Sequence, residues 1–84
     1  MGMSIASPPR EIVPRVRDAI LQAIPGAEVE VKANGSHFEI RVRSATFEGM
    51  RTLHRQRLVL SAIKHLMEGD NPPVHAIDVL ETTP

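Results

Sequence analysis

The sequence predicts a small α+β domain with the element order αββαβ and a mixed three-stranded sheet. Two segments have the apolar spacing of amphipathic helices, two alternating segments meet at Asn34-Gly35, and a short apolar segment follows the second helix. The chain of 84 residues suits one domain with a modest core. With two Phe and no Trp or Tyr, that core must be aliphatic.

The first helix is predicted from about Val13 to Ile24, after a flexible segment at 1–12, so that the domain covers 13–84. Pro14 then falls near the first helical position, where its missing N–H costs nothing. Helical spacing places the apolar residues on one stripe, which contains Val13, Val16, Ala19, Ile20, Ala23 and Ile24. Pro25-Gly26 ends the helix.

A hairpin is predicted next. Residues 28–33 alternate strictly between charged and apolar side chains, which is the period of a half-buried strand. Asn34-Gly35 is typical of a type I′ turn, because both residues tolerate positive φ. The second strand is predicted from Ser36 to Arg43, with three side chains pointing inward: Phe38, Ile40 and Val42.

The second half of the chain predicts a crossover helix and a third strand. After a Phe-Glu-Gly turn, the helix is predicted from Met50 or Thr52 to Met67. Its inward stripe contains Leu53, Leu60, Ile63 and Met67, with Val59, Ala62 and Leu66 beside it. The last strand is predicted from Val74 to Leu80, followed by a tail. A right-handed crossover would set the second and third strands parallel.

Composition excludes several classes of function. The chain has no cysteine, which rules out disulfides, a thiol nucleophile and a metal site built from its own thiolates. No apolar stretch is long enough for a secretion signal or a membrane span. We therefore expect a cytoplasmic protein that does not bind membranes. No nucleophile and base set and no phosphate-binding glycine loop is recognisable, so we expect no enzyme.

Charge is unevenly distributed although the formal net charge is zero. Between residues 41 and 64 there are six basic side chains and one acidic one, whereas residues 65–84 contain four acids and no Lys or Arg. Such a field can attract an anionic partner, but it can also be an ordinary solvated face. The four basic residues of the second helix are the nucleic-acid-binding candidates: Arg51, Arg55, Arg57 and Lys64.

The chain has four histidines, whose imidazoles are candidate metal ligands. His54 and His65 are eleven residues apart on one helix, about 16 Å along its axis, and cannot share an ion. His37 follows the hairpin turn and His75 opens the third strand, so that the sheet could bring both to one edge. Two imidazoles do not complete a zinc site. Each of these two residues is therefore either half of a shared metal site or an exposed strand histidine.

Four short motifs together resemble the BolA-like family: Gly35-Ser36-His37-Phe38, then Ser44-x-x-Phe47-Glu48-Gly49-Met50, then Arg55-Gln56-Arg57-Leu58-Val59, and finally Val74-His75-Ala76. They occur in the family's order and spacing over residues 13–83. The resemblance implies a class II KH-like αββαβ fold, which agrees with the order derived above.

The resemblance also implies a partner and a cofactor. Family members pair with a monothiol glutaredoxin and share a bridging [2Fe-2S] cluster with it and with glutathione, in iron-sulfur cluster trafficking and iron homeostasis. No cluster is expected in the isolated protein, which would be a monomer or a weak homodimer. The position matching the family's C-terminal ligand is His75. The family's second ligand lies in the loop before the second strand, where this chain has neither Cys nor His, and His37 is the nearest candidate.

Gln56 is a second position at which this chain departs from the family's pattern, because many members have His there. Some members are described as transcriptional regulators, so DNA binding by the basic helix is the alternative function. Against it, the chain lacks the GXXG clamp of nucleic-acid-binding KH domains, and its net charge is zero.

Overall fold

The computed structural model describes residues 9–84 and confirms the predicted αββαβ order. The elements are α1 (Pro9–Ala23), β1 (Glu28–Asn34), β2 (His37–Arg43), a short 3₁₀ turn (Ala45–Phe47), α2 (Thr52–Met67) and β3 (Ala76–Thr83). β2 is the central strand, antiparallel to β1 and parallel to β3. The result is the mixed three-stranded sheet expected from the hairpin and the crossover.

The core is aliphatic apart from the two phenylalanines, as composition required. α1 contacts β1 and α2, and α2 also contacts β3. The fully buried side chains come from both helices, the residue that follows α1, the central strand and the loops on either side of α2: Ile12, Val16, Ile20, Ile24, Phe38, Ile40, Val42, Phe47, Val59, Ile63, Leu66 and Val74.

Helix α1 begins at Pro9, four residues before the predicted start. Ile12, which the sequence prediction left in the flexible segment, is a core residue with 2% of its surface exposed. Pro14 therefore lies inside the helix, but it is exposed, so its ring and missing N–H disturb only the solvent side. The rest of the predicted flexible segment, residues 1–8, lies outside the described residues.

The hairpin turn is one residue later than predicted. Asn34 is paired with His37, so Gly35 and Ser36 are the two turn residues. Of these only Gly35 has a positive φ, at 63°. Glycine at the first central position is typical of a type II′ turn rather than the predicted type I′ turn. The inward set of β2 is confirmed, because Phe38, Ile40 and Val42 are all buried.

The apolar stripe of α2 is rotated from the predicted one. Leu53 and Leu60, expected to face the core, are 55% and 37% exposed. The buried residues are Val59, Ile63 and Leu66, whose spacing of four and three fits one helical face. Ile63 is a member of the predicted stripe, so the prediction is confirmed for this residue. Val59 and Leu66 were predicted only beside the stripe, and the packing against α1 and β3 turns the helix toward them.

Strand β3 is one residue longer than predicted and begins two residues later. It runs from Ala76 to Thr83, so the predicted tail is mostly strand, with Thr82 and Thr83 paired to the end of β2. The register shifts at one β-bulge: Ile77 pairs with Phe38, but Glu39 pairs with Val79, which leaves Asp78 as the extra residue. The bulge lies at the end of the sheet that carries His37.

Candidate functional site

His75 lies in the connection between α2 and β3, one residue before the strand. Its neighbour Val74 is completely buried, and the backbone N–H of Val74 donates to the carbonyl of Leu66 at the end of α2, at 3.1 Å. The N–H of His75 donates to the carbonyl of Ser36 in the hairpin turn, at 2.9 Å. The backbone of His75 is therefore fixed on both sides while its side chain is exposed.

This backbone contact brings the two candidate histidines together. Ser36 precedes His37, so the hydrogen bond from His75 places the two imidazoles side by side at one end of the sheet. Their ring centroids are 6.1 Å apart, with the ring planes inclined by 39°. The sequence-based expectation that the sheet brings His37 and His75 to one edge matches this geometry.

The ring of His37 has a second partner that the sequence analysis did not identify. Its Nδ1 lies 3.0 Å from Oδ1 and 3.3 Å from Oδ2 of Asp78. The two residues are 41 positions apart, and both side chains are about half exposed, at 49% and 55%. The adjacent apolar pair Val79-Leu80, which breaks the alternation of the strand, is the sequence signal that could have indicated the bulge and hence this contact.

The imidazole pair by itself could not complete a metal site. Among residues 9–84, no group of three or more His, Asp or Glu side chains is arranged to hold an ion. The carboxylate of Asp78 is engaged with His37. His54 and His65 are exposed on α2, and neither belongs to such a group. An ion or cluster at this edge would therefore need ligands from another molecule.

The four nucleic-acid-binding candidates, Arg51 at the N-cap of α2 and three basic residues within the helix, differ in how many contacts they make inside the domain. Arg55 is partly buried, and its guanidinium donates to the carbonyl of Met50 at 2.9 Å and to that of Thr82 at 3.5 Å. Lys64 lies 3.7 Å from the carboxylate of Glu68. Arg51 and Arg57 are exposed, and neither has an ion-pair partner within residues 9–84. DNA binding by this helix stays a prediction, and fewer of its basic side chains are free to contact phosphates than the sequence suggested.

The outer face of the sheet carries a separate charge network. Arg41 lies within 4 Å of three carboxylates, at 3.2 Å from Glu81, 3.3 Å from Glu39 and 3.8 Å from Glu30. The hydrogen bond to Glu39, together with the negative charges of Glu81 and Glu30, raises the pKa of Arg41 above its ordinary value. This arginine, which contributed to the basic excess counted along the chain, is locally neutralised.

Within residues 9–84, neither helix combines the length and the apolar character that crossing a bilayer requires.

A family model described as BolA-like protein matches residues 17–84. Among curated proteins, BolA-like protein 1 of Mus musculus is 43% identical over 49 residues, which cover 58% of this chain and 34% of that protein. BolA-like protein 1 of Bos taurus is 38% identical over 60 residues, covering 71% of this chain and 37% of that protein. The aligned region thus spans about a third of the length of these relatives.

Solved structures give the same result. A bolA protein homologue from Coxiella burnetii aligns with a TM-score of 0.66 and 33% identity, covering 81% of this chain and 83% of that one. Yeast Fra2 aligns with a TM-score of 0.58 and 26% identity over 90% of this chain and 77% of that one. BolA1 from Arabidopsis thaliana has a TM-score of 0.69 at 24% identity over 86% and 90%, which supports the fold alone.

Proposed function

The chain belongs to the BolA-like family, and from this premise we propose that it is a non-enzymatic partner of a monothiol glutaredoxin in iron-sulfur cluster trafficking. In this role it would supply imidazole to a [2Fe-2S] cluster held between the two proteins. The remaining ligands would be thiolates of the glutaredoxin and of glutathione. The cluster is the cargo of the complex and is not expected in the isolated chain.

The observation that carries this proposal is the exposed imidazole pair, His37 and His75, with ring centroids 6.1 Å apart. A [2Fe-2S] cluster takes four ligands, and imidazole replaces thiolate on one iron in some proteins. A chain without cysteine that presents two imidazoles at this end of its sheet can fill only part of that requirement. The donor set therefore suits a shared cluster, and nitrogen donors of this kind also suit iron.

The fixed backbone of His75 supports its proposed role as the principal ligand. Its backbone is anchored to the hairpin turn at Ser36, and the preceding Val74 is fixed in the core. A side chain carried on such a backbone keeps its position while remaining open to a partner, which is what a shared ligand needs. His37 is the second candidate, on the neighbouring strand.

Co-expression tests the proposal. The chain is produced together with a monothiol glutaredoxin of the same organism and purified without oxygen. We expect a coloured complex containing both proteins, with iron, sulfide and glutathione in fixed ratio. Replacement of the glutaredoxin's active-site cysteine by serine is the control and should give a colourless preparation. A colourless wild-type preparation, or a cluster that remains entirely on the glutaredoxin, would contradict the proposal.

A further inference from the structure

The β-bulge in β3 determines where Asp78 lies. Up to Ile77 the strand is in register with β2, and beyond the bulge Leu80 pairs with Ile40. Ile77 and Leu80 both pack against the core although they are three residues apart, which strict alternation would forbid. The extra residue, Asp78, is left exposed and unpaired in the ladder, and its carboxylate lies against the ring of His37. Bulges of this kind redirect a side chain.

The contact between Asp78 and His37 specifies which ring nitrogen is free. An ionised carboxylate has no proton to donate, so Nδ1 of His37 must carry the proton of the 3.0 Å hydrogen bond. In the neutral imidazole the lone pair then belongs to Nε2. Within residues 9–84, the His37 ring makes side-chain hydrogen bonds only to Asp78. The lone pair of Nε2 is therefore free to bind a metal ion from outside the chain.

We propose that Asp78 is a positioning residue that holds His37 in its Nδ1-protonated form and so makes Nε2 its metal-donating atom. This inference rests on the proposed function, and it assigns His37 as the second imidazole donor beside His75. Metal-ligating histidines generally donate their other N–H to a carboxylate or carbonyl, which fixes the ring and increases the basicity of the donor nitrogen. Asp78 and His37 have that arrangement on a rigid strand pair.

A simple surface ion pair is the alternative explanation of this contact. Exposed pairs of this type contribute little to stability and need His37 to be protonated. The two explanations differ in what they require of the neutral ring. An ion pair disappears when the imidazole loses its charge, whereas the positioning role requires the Nδ1–H hydrogen bond to persist in the neutral form.

The first experiment observes the tautomer directly in the isolated chain. Long-range ¹H–¹⁵N correlations of uniformly labelled protein are recorded at a pH well above the ordinary histidine pKa. We expect His37 to show the Nδ1-protonated pattern and to lose it in Asp78→Ala, while Asp70→Ala, which removes another exposed acid, leaves it unchanged. Unchanged backbone amide shifts of Ile77 and Val79 would show that the bulge persists. A wild-type His37 with Nε2 protonated would overturn the inference.

The second experiment uses the cluster-loaded complex with the glutaredoxin. We expect His37→Ala and Asp78→Ala to change the visible circular dichroism of the cluster in the same way, and the double variant to add nothing further. Asp78→Glu, which retains a carboxylate, should restore part of the wild-type spectrum. Spectra unaffected by both single changes would overturn the inference while leaving the proposed function intact. If the wild-type complex carries no cluster, the proposed function fails, and the assignment of His37 as its second donor fails with it.

Discussion

Truncation of Ile40 to alanine tests the central packing of the fold. Ile40 is completely buried on the middle strand, where its register partners are Val31 on one side and Leu80 on the other. The change removes three carbon atoms, and about 0.8 kcal/mol of transfer free energy for each gives roughly 2.4 kcal/mol. A cavity term is added to this, because neighbours on two strands cannot both collapse, and the total should be about 3 kcal/mol or more.

A loss of about 3 kcal/mol should lower Tm by roughly 12 to 24 °C in a domain of this size. Because the chain has no Trp or Tyr, unfolding is best followed by far-ultraviolet circular dichroism rather than fluorescence. Leu53→Ala is the matched control, since Leu53 is 55% exposed and should cost less than about 1 kcal/mol. Equal losses in the two variants, or an unchanged Tm for Ile40→Ala, would refute the described packing.

Three further predictions concern the turn and the basic helix. Gly35→Ala should destabilise the chain by about 1 to 2 kcal/mol in urea unfolding, because Gly35 has a φ of 63°; an unchanged midpoint would contradict the turn geometry. Arg55→Ala should cost about 1 to 3 kcal/mol through its lost hydrogen bonds to backbone carbonyls, whereas Arg57→Ala should be nearly neutral. If the helix binds duplex DNA, the engagement of Arg55 leaves at most three phosphate contacts, from Arg51, Arg57 and Lys64. The slope of log affinity against log salt in anisotropy titrations should then be no steeper than about −2.7, and no binding at low salt would remove that function.

Local patterns in the sequence predicted the sheet well because each strand carries its own periodic signal. Val29, Val31 and Ala33 alternate with charged residues, and the structure gives them alternating burial. The turn between the strands was misplaced by one residue because Asn34-Gly35 and Gly35-Ser36 are both acceptable turn pairs. Only the pairing of the whole hairpin decides between them, and that is a long-range property.

The faces of α2 could not be predicted from spacing alone. The prediction is right for Ile63, but it centres the stripe on Leu53 and Leu60, which are exposed. Val59 and Leu66, which the prediction places only beside the stripe, are buried. The rotation of the helix about its axis depends on how α1 and β3 present their side chains, and the apolar spacing does not specify it.

The candidate site was predicted in part. The proximity of His37 and His75 follows from the topology, because the turn before β2 and the start of β3 lie at the same end of a parallel strand pair. The contact of Asp78 with His37 was missed, because its only sequence signal is the adjacent apolar pair Val79-Leu80, which breaks the alternation of the strand. A single bulge creates that contact, and bulges are difficult to anticipate from a strand pattern.

The most direct test of the proposed function compares two histidine variants of the glutaredoxin complex. His75→Ala removes the imidazole beside His37, and His65→Ala removes another exposed imidazole, which lies on α2. Both variants should fold normally and show wild-type far-ultraviolet circular dichroism. In the visible region, we predict that the His75→Ala complex loses the absorbance and dichroism of the shared cluster, whereas the His65→Ala complex retains both. A His75→Ala complex with unaltered cluster spectrum and lifetime would contradict the assignment of this residue as the iron ligand.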